Sequence, residues 1–260
     1  MPTSRPTRSA RRAADPALLP HHGPTPALAE VHRAIVSCER CQRLRTYCRQ
    51  IAITRRAAFR HETYWGRPVP GFGDPEARLL IVGLAPAAHG ANRTGRVFTG
   101  DGVGGSGDFL MAAMHAGGFA NQPISRHPAD GLVLRDAFIA AAVRCAPPDN
   151  KPTPEEFARC ESHLLAEWAA LPRVRAVMCL GKLAWDSTWR ALAIRGHLVP
   201  RPRPAFGHGA VVSVDDRMTV LGAYHPSRQN THTGRLTPRM MAEVFVTARA
   251  VVRAARGVRL

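Results

Sequence analysis

Short apolar runs alternate with segments of helical periodicity through most of the chain. The runs over 78–84, 137–144 and 174–180 are almost continuously apolar and short, as expected of strands buried on both faces. Two further runs, 210–214 and 219–223, predict strands near the end. Helical spacing predicts a helix near 28–35, a short one over 107–116, one running from 180 through Ile194, and a last one from Thr237 and Pro238 to about Arg256. The clearest helix covers 153–171, where Thr153 can cap the N-terminus, Pro154 suits the first turn and Glu156 completes a capping box. Such alternation implies an α/β fold with a mostly parallel sheet covered on both faces. Ligands on such sheets bind beyond the carboxyl ends of the strands, so functional side chains are expected in the loops that follow them.

Three loops fit that expectation. Residues 83–101 read Gly-Leu-Ala-Pro-Ala-Ala-His-Gly-Ala-Asn-Arg-Thr-Gly-Arg-Val-Phe-Thr-Gly-Asp, residues 145–152 read Cys-Ala-Pro-Pro-Asp-Asn-Lys-Pro, and residues 224–234 read Tyr-His-Pro-Ser-Arg-Gln-Asn-Thr-His-Thr-Gly. Each mixes Gly or Pro with polar side chains, and glycine lets backbone N–H groups approach an anion closely. Any one of them is equally compatible with an ordinary turn; three at one sheet edge point to a site.

Charge adds a partner class. Lys and Arg total 36 against 19 Asp and Glu, a net charge of +17 over 260 residues. An excess of this sign suits a polyanion, because protein cations displace the counterions condensed on phosphates. Part of it lies in the first dozen residues, and residues 1–26, rich in Pro, Arg and Ala, are expected to form a tail ahead of a single domain over 27–260. The tail lacks the apolar core of a secretory leader, and no apolar run approaches the roughly 20 residues that span a bilayer. A cytoplasmic, nucleoid-associated monomer is the expectation.

Six cysteines without an export signal favour metal or cluster binding over disulfides. Cys38 and Cys41 form a C-x2-C pair, and Cys145 and Cys160 flank the second loop, so four thiolates are available. Zinc and an iron–sulfur cluster both take such a set, and spacing alone leans slightly to zinc. Cys179, inside an apolar run, reads as a core residue, while Cys48 is either a free thiol or a replacement ligand.

The loop from Gly83 to Asp101, together with His225-Pro226-Ser227, resembles the fifth family of the uracil-DNA glycosylase superfamily, the cluster-containing type-B enzymes of bacteria and archaea. The resemblance runs from about Cys38 to the last helix. It implies a three-layer α/β/α sandwich around a central four-stranded parallel sheet, and a [4Fe–4S] cluster on Cys38, Cys41, Cys145 and Cys160. The implied activity is hydrolysis of uracil from DNA. In that comparison Gly83, Ala85, Phe98 and Ala141 surround the base, with Phe98 as its stacking face. His225 hydrogen-bonds the departing base, Asn150 holds the attacking water, and Asp101 orients that water or stabilises the cationic sugar. Many relatives carry Asp or Asn early in the first loop, where this chain has Ala87 and Ala88. Ala141 stands where others read uracil with Asn, so a wider range of deaminated bases, hypoxanthine first, is expected. Arg228, Gln229 and Asn230 are expected in the DNA groove, and Arg93, Arg96 and Arg235 on phosphates. Only two lysines, Lys151 and Lys182, are present, so an enzyme that stops at the abasic site is expected. The competing readings are a metal- or cluster-bearing nucleic-acid module without chemistry and a nucleotide hydrolase. The second lacks both a G-x-x-x-x-G-K-[ST] segment and a carboxylate cluster for Mg²⁺.

Overall fold

The computed structural model describes residues 24–254. The expected tail lies almost wholly outside them, as does the final stretch of the helix expected to reach Arg256. Six strands make one sheet: β1 (Phe72–Gly73), β2 (Leu79–Gly83), β3 (Ala137–Ala141), β4 (Ala176–Leu180), β5 (Val211–Asp215) and β6 (Met218–Ala223), in the order β1-β3-β2-β4-β6-β5. The four in the middle are parallel. The expected four-stranded parallel core is therefore present, but β1 and β5 extend it as antiparallel edges.

Side-chain alternation sorts the core. Leu79, Ile81, Ile139, Met178 and Leu221 face one way, onto Leu110, Met111 and Met114 of α4 (Ser106–Ala116) and Met241, Val244 and Phe245 of α8 (Pro238–Ala254). Leu80, Val82, Phe138, Val177 and Val220 face the other way, onto Leu164 and Trp168 of α5 (Pro154–Ala169) and Trp185 and Trp189 of α6 (Lys182–Ile194). With both faces covered, every residue of β2, β3 and β4 is buried, which is why these strands read as unbroken apolar runs. β5, at the edge, alternates exposed and half-buried residues. The Thr153–Glu156 capping box starts α5, with Glu156 N donating to Thr153 Oγ1 at 3.3 Å and Thr153 N to Glu156 Oε2 at 2.8 Å.

Before the sheet lie α1 (Pro26–Val36), which packs on α5, and α2 (Gln42–Thr54). α2 carries an apolar stripe of Leu44, Tyr47, Cys48 and Ile51 at helical spacing, with Arg45 buried beside Leu44 and Cys48. Two short helices, α3 (Ala91–Thr94) and α7 (Arg228–His232), lie within the first and third loops. As the central strands are parallel, β2, β3, β4 and β6 all deliver their following loops to one edge of the sheet.

Candidate active site

The first loop leaves β2 at Gly83 and folds back over it. A methyl group on Gly83 would lie 3.0 Å from Cε2 of Phe98, so glycine lets the ring sit tightly over the strand end. Phe98 itself holds a left-handed backbone angle, φ 49°, which costs a non-glycine residue of order 1–3 kcal/mol and persists only where its surroundings enforce it. Its ring stands 5.7 Å from the ring of His225, tilted by 33°. Thus the first and third loops meet at a half-buried aromatic pair.

His225 follows β6 directly. Burial pulls its imidazole down to about 4, so the ring is neutral at pH 7 with one N–H to donate. Its backbone is fixed from the next helix: Asn230 Nδ2 donates to His225 O at 2.8 Å, and Ser227 caps α7 by accepting from Asn230 N at 3.4 Å. Asn230 Nδ2 is thus engaged within its own loop, while Arg228 and Gln229 are exposed.

Asp101 closes the first loop. Burial drives its carboxyl up to about 6, against the opposing pull of a hydrogen bond from Gly107 N and the charges of Arg228 and Arg93. Two glycines make room for it: a methyl on Gly90 would fall 1.9 Å from Asp101 Oδ1, and one on Gly105 2.7 Å from Asp101 Cβ. Arg228 Nη2 lies 3.5 Å from Asp101 O, a second link between the first and third loops. The glycines at 90 and 105 and the tether from Asn230 were not singled out in the sequence; the density of glycine around Asp101 was the available signal.

Asn150 ends a 3-10 turn in the second loop, where Asp149 and Asn150 both hold left-handed angles, φ 53° and 57°. Its side chain is exposed at the same sheet edge and makes no hydrogen bond among the described residues. Arg43 of α2 anchors this loop from behind, donating to Lys151 O at 3.1 Å and to both oxygens of Glu156 at 2.9 and 2.8 Å. Ala141 is buried and pairs in register with Gly83, so a methyl group stands at the end of β3 beside the strand end from which the first loop leaves.

The expectation that Arg93 and Arg96 meet phosphates is corrected. Both are buried, at 7% and 6% exposure. Arg93 pairs with Glu62, donates to Gly100 O and His89 O, and lies 3.9 Å over the Phe59 ring. Arg96 holds Asp130 through both carboxylate oxygens at 2.9 and 2.8 Å and donates to Thr99 Oγ1. Their guanidiniums brace the first loop from inside and are spent there. Arg235 is exposed, stacked 4.8 Å over Tyr224.

Cys41, Cys48, Cys145 and Cys160 share one buried cluster, and Ala85 and Ala88 of the first loop pack against it. Cys38, Cys41, Cys145 and Cys160 feel one another electrostatically, and burial is the largest influence pushing the Cys41 and Cys160 thiols up. Sulfur acceptors already meet N–H donors here: Arg40 Nε reaches Cys38 Sγ and Arg144 N reaches Cys160 Sγ, each at 3.3 Å. Cys48 Sγ lies beside Cys145 and 3.5 Å from Ala146 O. Among the described residues no three His, Cys, Asp or Glu side chains converge as they would on one metal ion. Cys179 lies buried in β4, donating to Thr188 Oγ1 at 3.2 Å, a core position.

Comparison with known proteins agrees with this layout. The family model described as the uracil DNA glycosylase superfamily matches residues 70–249. A type-5 uracil-DNA glycosylase of Mycobacterium bovis is 47% identical over 86% of this chain and 81% of its own length. One of Thermus thermophilus is 46% identical over 84% of this chain and 94% of its own. A type-4 uracil-DNA glycosylase of Archaeoglobus fulgidus is 25% identical over 77% and 82%. Matches of this length and identity establish membership: this chain belongs to the uracil-DNA glycosylase superfamily, within its type-5 group.

Proposed function

We propose that this protein hydrolyses the N-glycosidic bond of uracil in DNA, and of other deaminated bases including hypoxanthine, leaving an abasic site. The observation that carries the reading is the contact of Phe98 with His225, joining the first and third loops at the carboxyl edge of the parallel sheet, with Asp101 tied to the third loop through Arg228. The type-5 names of the relatives support the same chemistry.

A stacked base must leave the duplex to reach these side chains, at a cost of about a few kcal/mol that a mismatch reduces and phosphate contacts offset. Arg228, Gln229 and Arg235, exposed on the rim, are the residues proposed for DNA. The extruded base stacks on Phe98, with Gly83, Ala85 and Ala141 around it. As the C1′–N bond breaks, the bonding pair moves onto the base and its charge develops on a carbonyl oxygen. A neutral His225 supplies an N–H to that oxygen as its charge builds up. The sugar becomes cationic, and the Asp101 carboxylate, ionised above about pH 6, faces that charge. Asn150 positions the water that adds to C1′, and the proton this water gives up ends on the departed base, which leaves neutral. An amide is no base, so positioning and electrostatics carry the reaction. The methyl of Ala141 offers no hydrogen bond to tell one base from another, which fits a broad range.

Cys38, Cys41, Cys145 and Cys160 supply the four-thiolate set that an iron–sulfur cluster takes, and the family relationship favours that group over zinc. A polynuclear group takes four thiolates spread around a larger core, and the N–H···S bonds from Arg40 and Arg144 suit thiolate ligands. When bound, the cluster would join Cys38, Cys41, Cys145 and Cys160 covalently. Those residues tie the start of α2 and α5 to the second loop, and Ala85 and Ala88 pass the support on to the first. The role proposed is therefore structural.

The test is release of free base from duplexes holding uracil or hypoxanthine, by wild type, Asn150→Ala and His225→Ala. Loss of release in both variants with unchanged folding is expected; a wild type that binds DNA yet releases no base would return the reading to a binding module without chemistry.

A further inference from the structure

A groove of about 890 Å³ lies away from the proposed catalytic residues, between α1, α2 and the segment 65–67. Its lining includes Arg33, Arg45, Arg49 and Arg67 against one carboxylate, Glu39. Glu39 is shared by Arg49 at 2.6 Å and Arg45 at 3.4 Å, and Arg45 also donates to Gly66 O. Arg33 and Arg67 are exposed and have no ion-pair partner among the described residues. The groove is thus cationic with two uncommitted guanidiniums.

It also holds an aromatic face. Trp65 is 37% exposed, whereas Trp168, Trp185 and Trp189 are at most 1% exposed. A methyl on Gly95 would lie 2.9–3.2 Å from Cδ2, Cε3 and Cγ of the indole at once, so the glycine backs one side of the ring. Trp65 Nε1 is spent on Pro68 O at 3.1 Å, which fixes the ring, and Arg67 stands 6.0 Å from its centroid. Ile53, 75% exposed, adds apolar surface to the lining. A rigid indole beside free arginines is the combination that single-stranded nucleic acid requires: phosphates pair with the cations, and an unpaired base stacks on the ring. A duplex keeps its base faces covered, and an acidic peptide has no use for the indole.

The groove is joined to the catalytic loop. Trp65 N donates to Arg93 O at 2.8 Å and Gly66 N to Asn92 O at 3.0 Å, both in α3. We infer that this groove is a second nucleic-acid site, taking an unpaired stretch of DNA with a base on Trp65 and phosphates on Arg33 and Arg67. The inference rests on the reading of the protein as one that acts on DNA.

The experiment is tryptophan fluorescence during titration with a thymidine oligomer of about twelve nucleotides that contains no uracil, within the span one such site covers. With the other three tryptophans buried, saturable quenching reports Trp65. The expected result is quenching that disappears in Trp65→Phe, with binding weakened at least tenfold in Arg33→Glu/Arg67→Glu. The slope of log affinity against log salt should also fall by about 1.4, two single-strand phosphates' worth. Arg33 and Arg67 lie on the surface, so a matching melting temperature shows that this variant folds. No quenching in wild type, the same quenching in Trp65→Phe, or an equal response to inorganic tripolyphosphate, which has no base, would each overturn the inference. Base release measured on the same preparation separates the two ideas. Release with a silent Trp65 sinks only the groove, and quenching without release sinks only the excision chemistry.

Discussion

Asp101 gives the sharpest quantitative handle on the site. Burial lifts its carboxyl from 3.8 to about 6, so the folded protein binds that proton more tightly than the unfolded chain. A raised folded-state value means that stability is full below the unfolded value and is lost as pH rises through the folded one. The loss therefore falls between about pH 4 and pH 6. At about 1.4 kcal/mol per pH unit, an interval of about two units makes the ionised carboxylate cost the fold about 3 kcal/mol at pH 7.5. Asp101→Asn keeps the shape, since the amide oxygen can still accept from Gly107 N, and it removes the ionisation. The variant should be more stable than wild type by about 3 kcal/mol at pH 7.5 and by roughly half as much at pH 5, read from urea midpoints at a common m-value. It should also lose most base release, because the negative charge opposite the sugar is gone. Equal stability at pH 7.5, or an advantage that grows as pH falls, would refute the reasoning. Asp101 would then be solvated or ion-paired and of no special electrostatic value.

His225→Ala should lower kcat by about 10²–10³, the usual cost of one donor to developing charge, with a smaller change in KM. In wild type, base release should rise with pH through about 6 as Asp101 ionises and show no further step from His225, whose imidazole is already neutral above about 4. A rise centred near 4 instead would assign the limiting titration to His225. Gly83→Ala should displace Phe98, since the new methyl would sit 3.0 Å from its ring, and should raise KM for the uracil duplex in steady-state assays. Glu167→Gln should destabilise the fold by about 3–5 kcal/mol in urea unfolding, because it strands the buried Arg144 guanidinium 2.8 Å away.

The sheet was legible because helices cover both faces of its central strands, and full burial writes itself as uninterrupted apolar residues. α5 was legible because its cap lies in four consecutive residues, Thr153 to Glu156. What sequence could not show is where a polar side chain points. Arg93 and Arg96 stand in a polar loop beside the site and look like phosphate ligands, yet Glu62, Asp130 and loop carbonyls claim them. The two carboxylates come from segments more than thirty residues away along the chain. α2 shows helical spacing at Leu44, Tyr47, Cys48 and Ile51, but its buried Arg45 reads as surface until Glu39 and Gly66 O are seen beside it. β1, two residues long, carries no periodicity at all. The candidate site was legible to the extent that it follows strand ends. Phe98 and His225 are in ring contact and Asp101 reaches the third loop through Arg228, while Asn150 shares only the sheet edge.

The most direct measurement is mass-spectrometric detection of the free base after the purified protein meets a duplex with a single uracil. The account predicts stoichiometric uracil in solution and an alkali-labile strand of unchanged length before alkali. A strand that keeps its uracil through many enzyme equivalents, with DNA bound throughout, would contradict it.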